Sequence, residues 1–337
     1  SQNGGSAEDE VIVTPRSFIA SVSTIVNAGA RPVFADVDMV SGNITGETVA
    51  PVITNKTRGI IAVHLAGWPC DMDGLREAIG GREIRLIEDC AQAHGAMYKG
   101  NPVGGLGDVA AWSFCQDKIM TTGGEGGMVT CDDEALWRRM WAFKDHGKSY
   151  EAVYEREHAP GFRWVHESIG TNWRLTEMQS AIGRIQLRRM PEWHAANAAA
   201  LTEALKPLAG DGGPFRLENI EEHSGNIYSE GTRHAWYKYY AYIRPENSKN
   251  EVNRDDIARE MSNAGVPCMQ GSCSEIYYEK AFNNNALKPT VPFPVASALG
   301  KTSLMFMVHP GIELYGNYTN LDVQKILASI VKQKHSY

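Results

Sequence analysis

The chain has 337 residues, 43% hydrophobic and 22% charged, which is enough for one large core with a smaller unit beside it and too apolar for a disordered protein. A formal charge of -7 gives no general attraction to nucleic acid or to an anionic membrane surface, yet leaves room for a local basic pocket that takes a phosphorylated small molecule. Small molecules and copies of the chain itself are therefore the expected partners.

The opening SQNGGSAEDE carries neither a basic region nor an apolar core, so nothing in it reads as a secretion signal, and no later run reaches the apolar length of a membrane span. A strand, EVIVTP at 10–15, follows almost at once, and further chain upstream of the numbered sequence is expected. SFIASVSTIVNAGA then reads as a helix ending near Gly29, followed by strand runs in RPVFADVD and RGIIAVHLAG and a helix in DMDGLREAI. These β-branched runs are too apolar for a half-exposed sheet and fit parallel strands covered on both faces by helices, an α/β core.

The next strand, EIRLIEDC, carries Glu88 and Asp89 near its carboxyl end, the edge at which open α/β sheets hold ligands. VAAWSFC, a glycine-rich turn and the strand GGMVTCDD come after it. DDEALWRRMWAFKDHG predicts a helix closed by Gly147, then a polar and aromatic loop from Lys148 to Asn172. Thr176 with Gln179 forms a predicted capping box that opens a long helix, interrupted or bent at Pro191 and continuing through HAANAAALTEALKPL.

Residues 210–234 read as a loop-rich boundary, AWYKYYAYIR as a strand, NRDDIAREMSNAG as a helix, SLMFMVHP as a strand and TNLDVQKILASIVKQ as a closing helix. The expected organisation is a 1–209 unit with a long connecting helix and a smaller α+β unit over 210–337. Six cysteines, Cys70, Cys90, Cys115, Cys131, Cys268 and Cys273, lack paired CxxC spacing and read as reduced thiols. No metal site and a reducing, cytoplasmic setting are the expectations.

The chemistry concentrates in SFCQDKIMTTGGEGGMVT, residues 113–130. A lysine at the edge of a buried sheet is either a surface side chain beside a turn or an amine placed to bond an aldehyde. The lysine precedes the glycines, unlike the order in a nucleotide triphosphate loop, so that reading is disfavoured. Asp89 ends another strand 29 residues earlier; a pyridine ring between the two would have its nitrogen held protonated by the carboxylate and its aldehyde facing Lys118.

Several stretches together resemble the DegT/DnrJ/StrS family of sugar aminotransferases, which are fold-type I pyridoxal-phosphate enzymes. They are TPRSFIASVSTIVNAGARPVFADVD, RGIIAVHLAGWPCDMDGL, LIEDCAQAHGAMYKGNPVGGLGDVAAWSF, KIMTTGGEGGMVT, HGKSY and GTNWRLTEMQSAIGRIQL, with a thinner match in GVPC, IYYEKAF and MVHPG. The resemblance implies a three-layer domain with a mostly parallel mixed sheet. It makes Lys118 the lysine that bonds pyridoxal 5'-phosphate and shuttles the proton, Asp89 the partner of the pyridine nitrogen, Gln92 a contact on the O3 side and Phe18 the aromatic stacked on the ring. Ser113 corresponds to the phosphate-binding serine, and Asn172 to an asparagine that reaches the cofactor of a neighbouring subunit, which implies a homodimer with shared sites.

The implied reaction moves an amino group from an amino acid, glutamate by analogy, through pyridoxamine 5'-phosphate to a nucleotide-linked keto sugar. Dehydration of nucleotide-linked sugars, or a non-catalytic sensor, are the alternatives on the same scaffold. Related dehydratases carry histidine where this chain has Lys118, which favours transamination. Arg174 either faces a substrate phosphate or sugar hydroxyls or pairs with an acid on the helix, and His94 and His309 receive no role. The family has a phosphate-holding segment ahead of EVIVTP, and its real loss would put cofactor retention in doubt.

Overall fold

The computed structural model describes residues 6–206, 215–217, 231–244, 253–283 and 287–308, with 192–205 described by backbone alone. The predicted closing helix and His309 lie outside these residues. A six-stranded sheet forms the first layer, from β1 (Glu10–Val13), β2 (Arg31–Phe34), β3 (Thr57–Val63), β4 (Arg85–Asp89), β7 (Val109–Ser113) and β8 (Gly127–Thr130). A small ribbon of β5 (Met97–Tyr98) and β6 (Asn101–Pro102) lies between β4 and β7 in the chain.

The order across the sheet is β2-β1-β3-β4-β7-β8, parallel throughout except for the antiparallel β7–β8 pair. It is thus the mostly parallel mixed sheet of the expected α/β class. Six of the seven residues of β3 are buried, as a central strand covered on both faces requires.

Helix α1 (Ala20–Asn27) buries Ser21, Val22 and Ile25 and ends at Gly29, whose φ of 81° lets Ala30 N–H reach back to Ile25 O while Gly29 N–H bonds Val26 O. That double bond closes the helix where the glycine suggested it would. The one-turn α2 (Gly46–Val49) follows β2, and α3 (Met72–Ile79) is started by Asp71, whose carboxylate accepts from Gly74 N–H. Helix α4 (Glu134–Lys144) starts on Asp133 in the same way.

Three expectations are corrected here. The segment 148–172 contains a short helix, α5 (Tyr150–Tyr154), capped by Ser149. Helix α6 (Glu177–Leu205) runs through Pro191 without interruption. Within 210–234, β9 (Phe215–Leu217) is a strand with both outer residues buried.

A second sheet, ordered β11-β12-β10-β9, takes β10 (Lys238–Ile243), β11 (Cys268–Met269) and β12 (Ser303–Met307), all antiparallel. Helices α7 (Arg254–Asn263) and α8 (Pro294–Thr302) accompany it. The two sheets share a core: Ile12, Ile60 and Leu75 belong to one apolar cluster with Tyr240, Tyr242, Leu299 and Met305. Asp36, just past β2, accepts the N–H groups of Val295 and Ala296 and so caps α8 across this junction.

Candidate active site

Parallel pairing fixes the centre of the site. β4 and β7 run side by side with Asp89 opposite Ala111, so Asp89 and Ser113 lie near the same ends of neighbouring strands, and the turn carrying Lys118 follows directly. This is the sheet edge at which side chains from several strands can converge on one ligand.

Asp89 is fixed by two donors. The Ser21 hydroxyl, in the first turn of α1, donates to Oδ2 at 2.8 Å, and Ala91 N–H donates to Oδ1 at 3.1 Å. Each oxygen retains a lone pair for a cationic ring N–H. Sequence reasoning missed Ser21, although it stands three residues after Phe18 on the helix that the pattern had predicted. Phe18 itself is 67% exposed at the start of that helix, so its ring is a free surface and not core packing.

Gln92 is buried, and its Oε1 accepts Ala66 N–H at 2.7 Å, which leaves the amide NH2 as the end able to donate. Ala66 holds a left-handed backbone, φ 58°, an uncommon conformation for a residue with a Cβ that costs about 1–3 kcal/mol. Gly67 follows at φ 103°; a Cβ there would stand 2.9 Å from Ala235 Cβ and 3.0 Å from Trp236 N.

Glu88, beside Asp89, points into the protein and is wholly buried. Its Oε1 accepts from Leu106 N–H and Gly107 N–H, and its Oε2 from Gly104 N–H and His64 Nε2 at 3.1 Å. Cys70 N–H donates to His64 Nδ1 at 2.9 Å, so the imidazole proton sits on Nε2. Burial raises the Glu88 carboxyl, but the bonds from His64 and the loop amides outweigh it and hold the group below its ordinary range.

Among the described residues, His64, Glu88 and Cys90 gather three possible metal-ligand atoms. Both imidazole nitrogens and both carboxylate oxygens are already engaged, and burial pushes the Cys90 thiol far up, so the cluster is fitted for internal bonding.

The Lys118 turn is organised from within and from the second sheet. Phe114 N–H bonds Gly126 O, Lys118 N–H bonds Cys115 O, and Thr122 Oγ1 bonds Glu125 O; a Cβ on Gly126 would stand 2.3 Å from Thr122 Oγ1. Ser113 Oγ accepts Cys115 N–H at 3.3 Å and keeps its own proton to donate. Lys118 Nζ donates to the Tyr237 hydroxyl at 3.2 Å, and that hydroxyl donates to Asp117 Oδ2 at 2.6 Å. Nothing in the local sequence signalled Tyr237, which lies 119 residues further along the chain.

Asn172 is exposed, on a segment where Phe162, Trp164, Ile169, Trp173 and Met178 are exposed as well. It pairs through its backbone with Asp145. Arg174 pairs with an acid, Asp145, which lies just past the end of α4 and not within a helix as expected. His94 packs its ring on Trp112 and Phe114.

Fold and site together define a fold-type I aminotransferase scaffold with an amine and a carboxylate at adjoining strand ends. The chain belongs to the DegT/DnrJ/EryC1/StrS aminotransferase family, whose model matches residues 2–330. It is 54% identical to an aminotransferase from Psychrobacter cryohalolentis of solved structure, with a TM-score of 0.91 covering 98% of this chain and 82% of that one. It is 41% identical over 190 residues to GDP-perosamine synthase of Escherichia coli O157:H7, covering 56% of this chain and 49% of the relative. Over 305 residues it is 37% identical to dTDP-3-amino-3,4,6-trideoxy-alpha-D-glucose transaminase of Streptomyces venezuelae, covering 90% of this chain and 73% of that protein. The chain thus spans from about half to about three quarters of the length of these curated relatives.

Proposed function

We propose that the protein transfers an amino group from an amino acid, L-glutamate in the simplest case, to a nucleotide-linked keto sugar, with pyridoxal 5'-phosphate as cofactor. The observation that carries this reading is a doubly anchored Asp89 at the end of β4, with Lys118 in the turn that follows the neighbouring strand β7, in a chain of this family. Relatives named as a GDP-perosamine synthase and a dTDP-sugar transaminase support a nucleotide-sugar substrate.

The residues present fit the cofactor. Asp89 offers a fixed carboxylate to a ring nitrogen, Phe18 an open aromatic face, Gln92 an amide donor and Ser113 a hydroxyl for the phosphate. Bound there, pyridoxal phosphate supplies an electron sink and carries the amino group between the two substrates. The chain's part is to hold the ring protonated through Asp89 and to move a proton between substrate and cofactor carbons on the Lys118 amine. Fixing Asp89 with Ser21 and Ala91 means that no reorientation is needed as charge builds on the ring.

The same reading makes the protein a homodimer, with Asn172 completing the neighbour's phosphate site. An apolar surface in which Trp164 is 83% and Ile169 94% exposed supports this, because such a patch around a functional residue suits a partner copy. It also divides the chain into a cofactor-binding unit over 1–209 and a smaller unit over 210–337, and assigns the protein to amino-sugar and polysaccharide synthesis in the cytoplasm. No helix among the described residues is long and apolar enough to cross a membrane.

The test is a half-reaction. Purified protein incubated with L-glutamate should release 2-oxoglutarate in proportion to its bound cofactor, then aminate one member of a panel of nucleotide-linked 3-keto and 4-keto sugars. Failure with every amino donor, in protein that retains cofactor, defeats the reading.

A further inference from the structure

Lys118 sends its amine to a residue of the second sheet's leading segment, and the backbone goes to some expense to deliver that residue. The segment 231–237 is laced to the loops of the first unit: Gly100 N–H bonds Gly231 O, Met97 and Arg233 exchange two bonds, Ala235 N–H bonds Gly67 O and Tyr237 N–H bonds Ala66 O. Trp236 adopts φ 56° there, and Ala66, whose carbonyl accepts the N–H of the next residue Tyr237, φ 58°. Left-handed backbone at two non-glycine residues in one contact persists only where the surroundings enforce it. What the enforced turn achieves is the delivery of the Tyr237 side chain to the Lys118 turn.

At its destination the phenol is 6% exposed and placed between an acid and an amine. Its oxygen accepts from Lys118 Nζ and its hydrogen goes to Asp117 Oδ2. Burial and then the Asp117 carboxylate push the phenol far up, so it keeps its proton and the direction of this chain of bonds is fixed. The Tyr237 ring also faces two amines, with Lys118 Nζ 4.8 Å and Lys238 Nζ 4.4 Å from its centroid.

We propose that Tyr237, held by Asp117, is a positioning residue for Lys118: its phenol oxygen is the berth at which the lysine amine rests whenever it carries no cofactor bond. The inference builds on Lys118 as the cofactor-bonding amine and goes beyond that reading by naming what directs the amine between its bonding events. Without the berth, a four-carbon side chain samples many rotamers at each release, and the fraction aimed for proton transfer falls.

The experiment uses Tyr237→Phe, which keeps the ring and removes the hydroxyl, and Asp117→Asn, which keeps the phenol and removes the negative charge that holds it and that stands 3.7 Å from the Lys118 amine. In single-turnover reactions with L-glutamate, Tyr237→Phe should slow the step at least about tenfold, less than the ~10²-fold or more that loss of a proton-transfer group itself costs because the amine remains, with KM changed less than about threefold. Asp117→Asn should slow it in the same direction by less. A second readout needs no turnover: in full-length protein loaded with pyridoxamine phosphate, acylation of Lys118 by a neutral ester, read by peptide mass spectrometry, should be faster in both variants.

Unchanged turnover together with unchanged labelling overturns the proposal. If Tyr237→Phe does not fold, Asp117→Asn decides, since Asp117 is half-exposed at the rim of the turn. A wild-type protein with no amino-donor reaction would overturn the parent reading instead. The labelling comparison on as-purified protein would still judge the contact between Tyr237 and Lys118.

Discussion

The end of β4 and the turn after β7 hold the two halves of the proposed chemistry, and they are built in opposite ways. At the end of β4 every side chain is anchored by its near surroundings: Glu88 by three loop amides and His64, Asp89 by Ser21 and Ala91, Gln92 by Ala66. Lys118 is held by one hydroxyl from a distant segment, Tyr237, and by the carboxylate of its own neighbour Asp117, 3.7 Å from Nζ. A group that must present one fixed charge gains from being over-determined. A group that must bond, release and carry a proton gains from few, exchangeable partners.

The sharpest way to break this contrast is to remove the moving group. Lys118→Ala should lower turnover by about 10⁴-fold and abolish the absorbance band of lysine-bound cofactor, while the β4 end and the thermal stability stay intact. Loss of folding together with loss of activity would mean that Lys118 is as structural as its neighbours.

Glu88→Gln tests the fixed side. An amide cannot accept all four donors, and the substitution should cost about 3–5 kcal/mol in urea unfolding at pH 7. The folded carboxyl lies below its ordinary 4.5, so its contribution is complete above that pH and fades as the pH falls through the folded value. Stability curves of wild type and variant should therefore converge in acid.

Asp89→Asn should leave stability nearly unchanged and lower kcat/KM by roughly 10²-fold, about 2.7 kcal/mol, because the neutral amide no longer favours a protonated ring nitrogen. Equal activity would remove Asp89 from the chemistry.

Lys238 gives the smallest effect and the finest test of the amine side. Its Nζ has the Met307 thioether at 3.1 Å and the Tyr237 ring beside it, and burial brings its pKa down from 10.5 to about 8. Below pH 8 both folded and unfolded chains hold this proton and the cost of burying the charge is complete. Between about 8 and 10.5 the folded lysine has released it while the unfolded one has not, so wild-type stability rises with pH. Lys238→Met should accordingly stabilise the protein by about 2 kcal/mol at pH 7, with the advantage shrinking toward pH 10.

Much of the fixed side was legible in the sequence. The apolar runs marked the parallel strands, and EIRLIEDC put Asp89 at a strand end because period and turn signals are local. The capping box of Thr176 and Gln179 is present, with Thr176 Oγ1 accepting Gln179 N–H and Thr176 N–H donating to Gln179 Oε1. Local signals failed where distant partners decide. Phe215–Leu217 is a strand because β10 pairs with it through Ala241 and Ile243, despite its polar and glycine-rich flanks. Pro191 was expected to interrupt or bend its helix, and the backbone carries one helix through it, since a proline removes one bond of a ladder that the neighbouring turns maintain. Tyr237 could not be inferred from Lys118 because tertiary docking alone joins them.

The shared cluster that joins Ile12 to Met305 has a consequence for synthesis. At ~5–20 residues per second, a ribosome needs roughly 15–60 s to make the chain between those two positions. Over that interval the β1 and β3 side chains of this cluster wait for their covering aromatics, with sticky surface open to other nascent chains. Yield in the cell should respond to temperature and to chaperone supply more steeply than the stability of the finished protein would suggest.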